Sequence, residues 1–290
     1  MNEIPIIDIH QVEKTENATN FHINSLNKHL KENEEKFAAS HKHNFFICVL
    51  FTKGSGNHQI DFHTYAIQPG SVFFIKPGQT HHWEFKTQPE GYIFLHTQDF
   101  YENPYLKEKL NQFPFYNSTK NPPLLILSQQ EIDDIRPLYE ELMREYNNNS
   151  SFKNLKIFSL ITHMYIELSR IYIPSEKKMR IVTPIHMEII TKLESILEAH
   201  YKNEKLPKFY ASKLFVSTKH LNRIIKTSLN KTTTDLITDR VVLEAKRLMV
   251  HSKNSLTTIS HELGYQDYAY FSRVFKRKTG ISPKKFIKVM

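Results

Sequence analysis

Cysteine occurs once in the 290 residues, at Cys48, so no disulfide can form within the chain. Such usage suits a reducing cytoplasm. Long apolar runs are also missing, and none approaches the roughly 20 residues of a membrane-spanning helix. The opening MNEIPIIDIH lacks the basic segment followed by an apolar one that marks a secretion signal. These absences predict a cytoplasmic chain with no membrane partner. An excess of positive charge is lacking from the first part of the chain: residues 1–183 carry 19 Lys and Arg against 21 Asp and Glu, a net of −2. Residues 184–290 carry 20 against 9, a net of +11, and so hold all of the excess. Positive charge gathered in one segment is the electrostatic footprint of a phosphate-bearing partner.

Within that segment, Leu256 to Phe286 reads as two short helices joined at a glycine. Ser255 is the expected N-cap, and Leu256, Ile259 and Leu263 at i, i+3 and i+7 form one buried face. Gly264 ends the helix in a left-handed conformation. Asp267 caps the next helix, whose inner face is Phe271, Val274 and Phe275 and whose outer face carries Tyr268, Ala269, Ser272, Arg273 and Lys276. Gly280 stops it, and Ser282-Pro283 starts another. Two short helices across a tight turn, the second basic outside, form the pattern of a DNA-reading helix-turn-helix.

The pattern occurs twice. Ala211 and Leu214 match Ser260 and Leu263 at an offset of 49; Leu221, Arg223, Lys226 and Asn230 match Phe271, Arg273, Lys276 and Gly280 at an offset of 50. The extra residue lies in the second turn, and Ser217 matches Asp267 as a cap. An arginine and a lysine thus recur at one helical phase.

Residues from about Pro184 to Met290 resemble the DNA-binding domain of the AraC/XylS family of bacterial transcription regulators. The resemblance rests on Leu263-Gly264-Tyr265, on Phe271-Ser272-Arg273 with Phe275-Lys276, and on Gly280-Ile281-Ser282-Pro283, with Arg240, Ala245 and Leu248 on the helix between the units. Ser260 and Asn230 depart from the family's usual alanine and glycine. Phase and resemblance together place Lys219, Asn222 and Arg223 on the first reading helix against bases, with Tyr268, Ala269, Ser272, Arg273 and Lys276 on the second. The connecting helix, Thr234 to Val250, spans roughly 25 Å, suited to holding the reading helices in successive major grooves.

The first half is β-rich from Phe45. Strands are expected at Phe45 to Phe51, His58 to Ile67, Ser71 to Ile75, Trp83 to Phe85 and Tyr92 to His96, with turns at Gly54-Ser55-Gly56, Pro69-Gly70 and Pro77-Gly78. Such spacing predicts a barrel or jelly roll. The run from Gly70 to His81 resembles the second motif of cupins, and His41-Lys42-His43 the start of the first. In cupin enzymes that pattern, two histidines, a glutamate and a later histidine, holds a metal ion; His41, His43 and His81 occupy the histidine places here, and the glutamate's place falls at Ile47 or Cys48. Three imidazoles can still bind zinc or iron with an open position, but the missing carboxylate removes charge compensation and a candidate base, so no metal or other cofactor is expected, nor any catalytic residue. His41, His43, His81 and Trp83 are expected to line a small-molecule effector pocket.

Ser128 is placed to cap a helix over Glu131 to Tyr146, with Pro137 as an obstacle. A second helix over Phe152 to Tyr172 carries Ile157, Ile161, Met164, Leu168 and Ile171 as a stripe read as a homodimer seam. The expected architecture is α+β in two domains: a cupin-like β-barrel with following helices over 1–173, a linker over 174–183, and an all-α double helix-turn-helix domain over 184–290. The function this predicts is sequence-specific, effector-controlled regulation of transcription, not catalysis. Double-stranded DNA, a small molecule, a second copy of the chain and RNA polymerase are the expected partners. Two other readings stand beside it: a metal-dependent cupin enzyme with a helical appendage, and a DNA-binding regulator whose barrel only dimerises.

Overall fold

The computed structural model describes residues 5–12, 20–37, 39–102, 110–117, 121–172, 184–229, 231–252 and 254–289. The expected linker and Asn230 lie outside the described residues. Contacts divide the chain into two compact units, Pro5–Met179 and one containing Arg180–Met290.

In the first unit, β1 (Ile6–Ile7) pairs in parallel with β3 (Lys42–His43). Strands β2 (Phe21–Ser25), β4 (Phe46–Ile60), β5 (His63–Ile67), β6 (Ser71–Ile75), β7 (His81–His96) and β8 (Leu124–Ile126) form one antiparallel sheet. The order is β2-β7-β4-β6-β8, with β5 on β4. Among the described residues β2 and β8 end this order, and the antiparallel strands form the sheet domain that the barrel reading expected. Gly54-Ser55-Gly56 do not make the expected turn. They are bulges inside β4, where register against β7 shifts between Phe51 and Gly56. Close passage of the two strands explains the glycines there: a Cβ on Gly54 would lie 2.7 Å from Pro89 Cα, and one on Gly91 1.9 Å from the Leu50 carbonyl oxygen. Trp83 to Phe85 and Tyr92 to His96 are accordingly the two ends of one strand, β7.

Beyond the bulge β4 changes its second neighbour. Ile47 to Leu50 pair with β6, whereas Gly56 to Ile60 pair with β5. Both faces of the first half are covered, which is why Phe45 to Phe51 reads as an unbroken apolar run. Phe46, Cys48 and Leu50 join Phe74, Phe94 and two helices in one core; Phe45, Ile47, Val49 and Phe51 join Phe73, Ile75, Trp83, Ile93 and Leu95 in the other. Helix α1 (Leu26–Glu32) places His29 in a buried position by the second core.

Helices α2 (Gln129–Tyr146) and α3 (Lys153–Tyr172) cover the first core. Ser128 caps α2 through a reciprocal capping box with Glu131, and the helix continues through Pro137. The α3 stripe is not a seam for a second copy. Ile157, Ile161, Met164 and Leu168 are all buried against their own sheet and α2. Periodicity reports a buried face but not what covers it.

The second unit is helical: α4 (Pro184–His200), α5 (Pro207–Lys213), α6 (Thr218–Leu229), α7 (Thr233–His251), α8 (Leu256–Glu262), α9 (Tyr268–Thr279) and α10 (Pro283–Val289). A Thr232–Asp235 capping box starts α7, Ser255 caps α8, and Gly280 ends α9 at φ 81°. Ile237, Val241, Ala245 and Met249 on α7 are buried, as are Leu221, Ile224 and Ile225 on α6 and Phe271, Val274 and Phe275 on α9. Helix α7 contacts every other helix of this unit except α5 closely enough to serve as its spine.

Candidate nucleic-acid interface

The two helix-turn-helix units share one turn geometry. The Val216 amide donates to the Ala211 carbonyl at 3.0 Å, and Tyr265 to Ser260 at 2.9 Å. One residue earlier, Phe215 and Gly264 both take a left-handed conformation, φ 55° and 78°. The Ser217 hydroxyl accepts the His220 amide at 3.1 Å, and the Asp267 carboxylate accepts that of Tyr270. Each turn therefore launches its second helix from a capped start.

With the apolar faces of α6 and α9 buried, their outer faces expose Lys219, Arg223 and Lys226 on the one, and Ala269, Tyr270, Arg273, Lys276 and Arg277 on the other. Tyr268 and Ser272 are half-buried at the rim. Among the described residues Lys219, Arg223, Arg273 and Lys276 form no ion pair; Arg223 donates only to His220 Nδ1, at 3.0 Å. Neighbouring cations are committed to the fold instead. Lys278 bonds Asp235 at 3.2 Å and Asp239 at 2.7 Å, tying α9 to α7, and Lys231 pairs with Asp239. Arg240 stacks 4.0 Å from the Tyr201 ring centroid and pairs with Glu198 at 2.7 Å and Glu244 at 3.0 Å.

Asn222 leaves the set expected to face bases. Its side-chain oxygen accepts the Thr233 backbone amide at 3.0 Å and the Thr233 hydroxyl at 2.9 Å. A bidentate contact to adenine needs that oxygen, and here it secures the start of α7. Tyr270, 55% exposed, belongs with the outer face too.

His41 and His43 come together with His81 and Trp83, about forty residues further along the chain, but as a buried cluster rather than around an open pocket. Backbone bonds between His41 and His81, at 3.1 and 2.9 Å, set their strands side by side. The imidazole centroids of His41 and His43 are 4.7 Å apart, and those of His41 and His81 4.5 Å. Trp83 lies 5.1 Å from His81 and 5.2 Å from His58. His58 was missed because breaking β4 at Gly54–Gly56 hid the register that pairs it with Trp83. Burial lowers the pKa of His41 and holds those of His43, His58 and His81 well below the ordinary imidazole value.

A basic helical unit with two such motifs, their outer cations uncommitted, defines a DNA-binding transcription regulator. Two families match the chain: the helix-turn-helix domain over residues 210–288 and the AraC-like ligand binding domain over residues 29–161. The chain belongs to the AraC/XylS family of transcription regulators. It is 21% identical over 249 residues to the uncharacterized HTH-type transcriptional regulator YfiF of Bacillus subtilis, covering 85% of this chain and 77% of that one. It is 26% identical to the transcriptional activator Btr of the same organism, again over 85% of this chain but only 45% of Btr. The transcriptional activator RhaR of Escherichia coli K12 is 23% identical, with 86% of each chain covered. Among the described residues, no helix is long and apolar enough to cross a membrane.

Proposed function

We propose that this chain regulates transcription by laying α6 and α9 in successive major grooves of one DNA duplex. The observation that carries this reading is the repeat of one capped turn, each time followed by an exposed arginine, Arg223 and Arg273, with no acidic partner among the described residues. Arginine in that position can bond guanine in bidentate fashion, while Lys219 and Lys276 supply charge toward phosphate or base edges. Tyr268, Ala269 and Ser272 shape the second contact, and Asn222 acts as a positioning residue through Thr233. On this reading a small molecule held by the sheet unit biases the regulator between states of different DNA affinity, and RNA polymerase is the partner at the promoter. A homodimer would use a surface other than the buried α3 stripe.

Selection from random duplex DNA with the full chain tests the proposal. The expected result is one enriched motif with two short blocks about one helical turn apart, roughly 10 base pairs. Enrichment of a single block, or of none, would refute tandem reading.

A further inference from the structure

We propose that His41, His43 and His81 form a site for a divalent transition-metal ion of the zinc class, with Nε2 of each imidazole as ligand and one coordination position open. The missing carboxylate weighed against a metal in the sequence; the geometry points to the site. One imidazole nitrogen from each of the three lies within 4.8 Å of one from each of the others, and all three residues are buried.

The surrounding hydrogen bonds select the ligand atoms. His41 Nδ1 lies 2.8 Å from the Ala39 carbonyl and donates to it, which fixes the proton there and leaves a bare lone pair on Nε2. That Nε2 is buried without a partner. His81 Nδ1 lies 3.0 Å from His58 Nε2, so His58 holds the His81 ring as the outer partner of a ligating histidine does. His43 Nε2 and His81 Nε2 face each other at 2.6 Å. Two imidazole nitrogens on a tetrahedral ion sit about 3.3 Å apart at ordinary zinc–nitrogen lengths. For this pair, replacing the shared proton with the ion asks for less than about 1 Å of opening, while His41, within 4.8 Å of both, has to close by up to about 1.5 Å. Coordination would give His41 Nε2 the partner it lacks, which is the one unsatisfied nitrogen of the cluster that an ion at this place relieves.

The donor set also chooses the ion. Magnesium and calcium take oxygen ligands, whereas neutral imidazole suits zinc, copper, nickel and iron. Three neutral ligands leave the ion's full charge in a buried place, so an anion or a polarised water takes the open position. The backbone bonds between His41 and His81 preform two of the ligands. The site lies in the unit assigned to effector sensing, but the inference rests on that unit's geometry alone.

The test uses the full chain, stripped by chelator and dialysed against Zn²⁺ or Co²⁺. The expected result is one ion bound per chain, visible bands of four-coordinate Co²⁺, and three imidazole nitrogens around zinc at about 2.0 Å in X-ray absorption. His41→Gln should bind at least a hundredfold more weakly, and His58→Ala ten- to a hundredfold more weakly. The exposed His63→Gln should bind as wild type. Six-coordinate Co²⁺, fewer than three imidazoles in the absorption spectrum, or wild-type affinity in a folded His41→Gln would overturn the site. The wild-type spectra decide the matter even if the variants do not fold. DNA selection run beside them separates failure of the metal site from failure of the DNA reading.

Discussion

Phe215 and Gly264 hold the same place in successive turns, and both adopt a left-handed backbone, but only one of them is suited to it. The phenylalanine is 96% exposed, so its side chain contributes almost no burial in return for the strained conformation. A left-handed non-glycine residue costs about 1–2 kcal/mol, partly offset by glycine's greater freedom in the unfolded chain. Phe215→Gly should therefore stabilise the helical unit by up to about 1 kcal/mol. Gly264→Ala should do the reverse and lose more than about 2 kcal/mol, since its Cβ would fall 1.8 Å from the Lys202 carbonyl oxygen. Thermal unfolding of the two variants beside wild type checks both signs.

Asn222 and Arg223 are adjacent on α6 yet separable by experiment. Removing the Asn222 side chain leaves the buried Thr233 amide and hydroxyl without their acceptor. Asn222→Ala should cost about 1–3 kcal/mol of stability while leaving the selected DNA motif unchanged. A changed motif in a variant of normal stability would return Asn222 to the base-reading set.

The helical half was legible because each element carries its own local signal. Ser255, Asp267 and Gly280 cap where the sequence placed them, and Leu263 and Phe271 face the core. The sheet was less so. Bulges at Gly54 and Gly56 resemble turns in sequence, and only pairing with β7 on both sides shows that one strand continues. Cross-strand register is likewise what brings His58 to His81, residues no local pattern relates. The α3 stripe is correct as a buried face and wrong as a dimer seam, because periodicity cannot name the partner surface.

That correction alters what α3 variants should do. Ile161 and Leu168 are fully buried in their own chain, so an aspartate at either position places a carboxylate in the core at a cost of several kcal/mol. The double variant should lose the fold of its sheet unit. Trp83 is the chain's one tryptophan and lies in that unit, so its fluorescence reports the loss directly. Native emission from a monomeric variant would restore the dimer reading.

Acid should weaken the same unit. Burial lowers His22 and His96 to about 4 and His29 to about 3, from an ordinary value of 6.5. Because the folded values lie below the unfolded one, the unfolded chain binds protons first as the pH falls. The stability these residues preserve is complete above about pH 6.5 and is lost progressively as the pH drops through the folded values. In that window each neutral buried histidine costs about 1.4 kcal/mol per pH unit. The urea midpoint followed by Trp83 fluorescence should fall clearly between pH 7.5 and pH 5. An unchanged midpoint would mean that these imidazoles accept protons without unfolding.

The reading helices offer the most direct check on the interface. Arg223 and Arg273 stand on the exposed faces of α6 and α9 with no carboxylate among the described residues to hold them, whereas Lys278 and Arg240 are tied into the fold. A bidentate arginine–guanine contact discriminates by about 1–3 kcal/mol, so each alanine variant should relax preference by roughly 5- to 150-fold at its own block. The blocks affected should differ, about one turn of DNA apart, with the other block unchanged in each case. Lys219→Ala and Lys276→Ala give a contrasting result if those side chains meet phosphate. Affinity then falls evenly across sequences, and the slope of log affinity against log salt drops by about one for each contact removed. If Arg223→Ala and Arg273→Ala instead altered the same block, the two helices would not be reading separate grooves, and tandem docking would have to be abandoned.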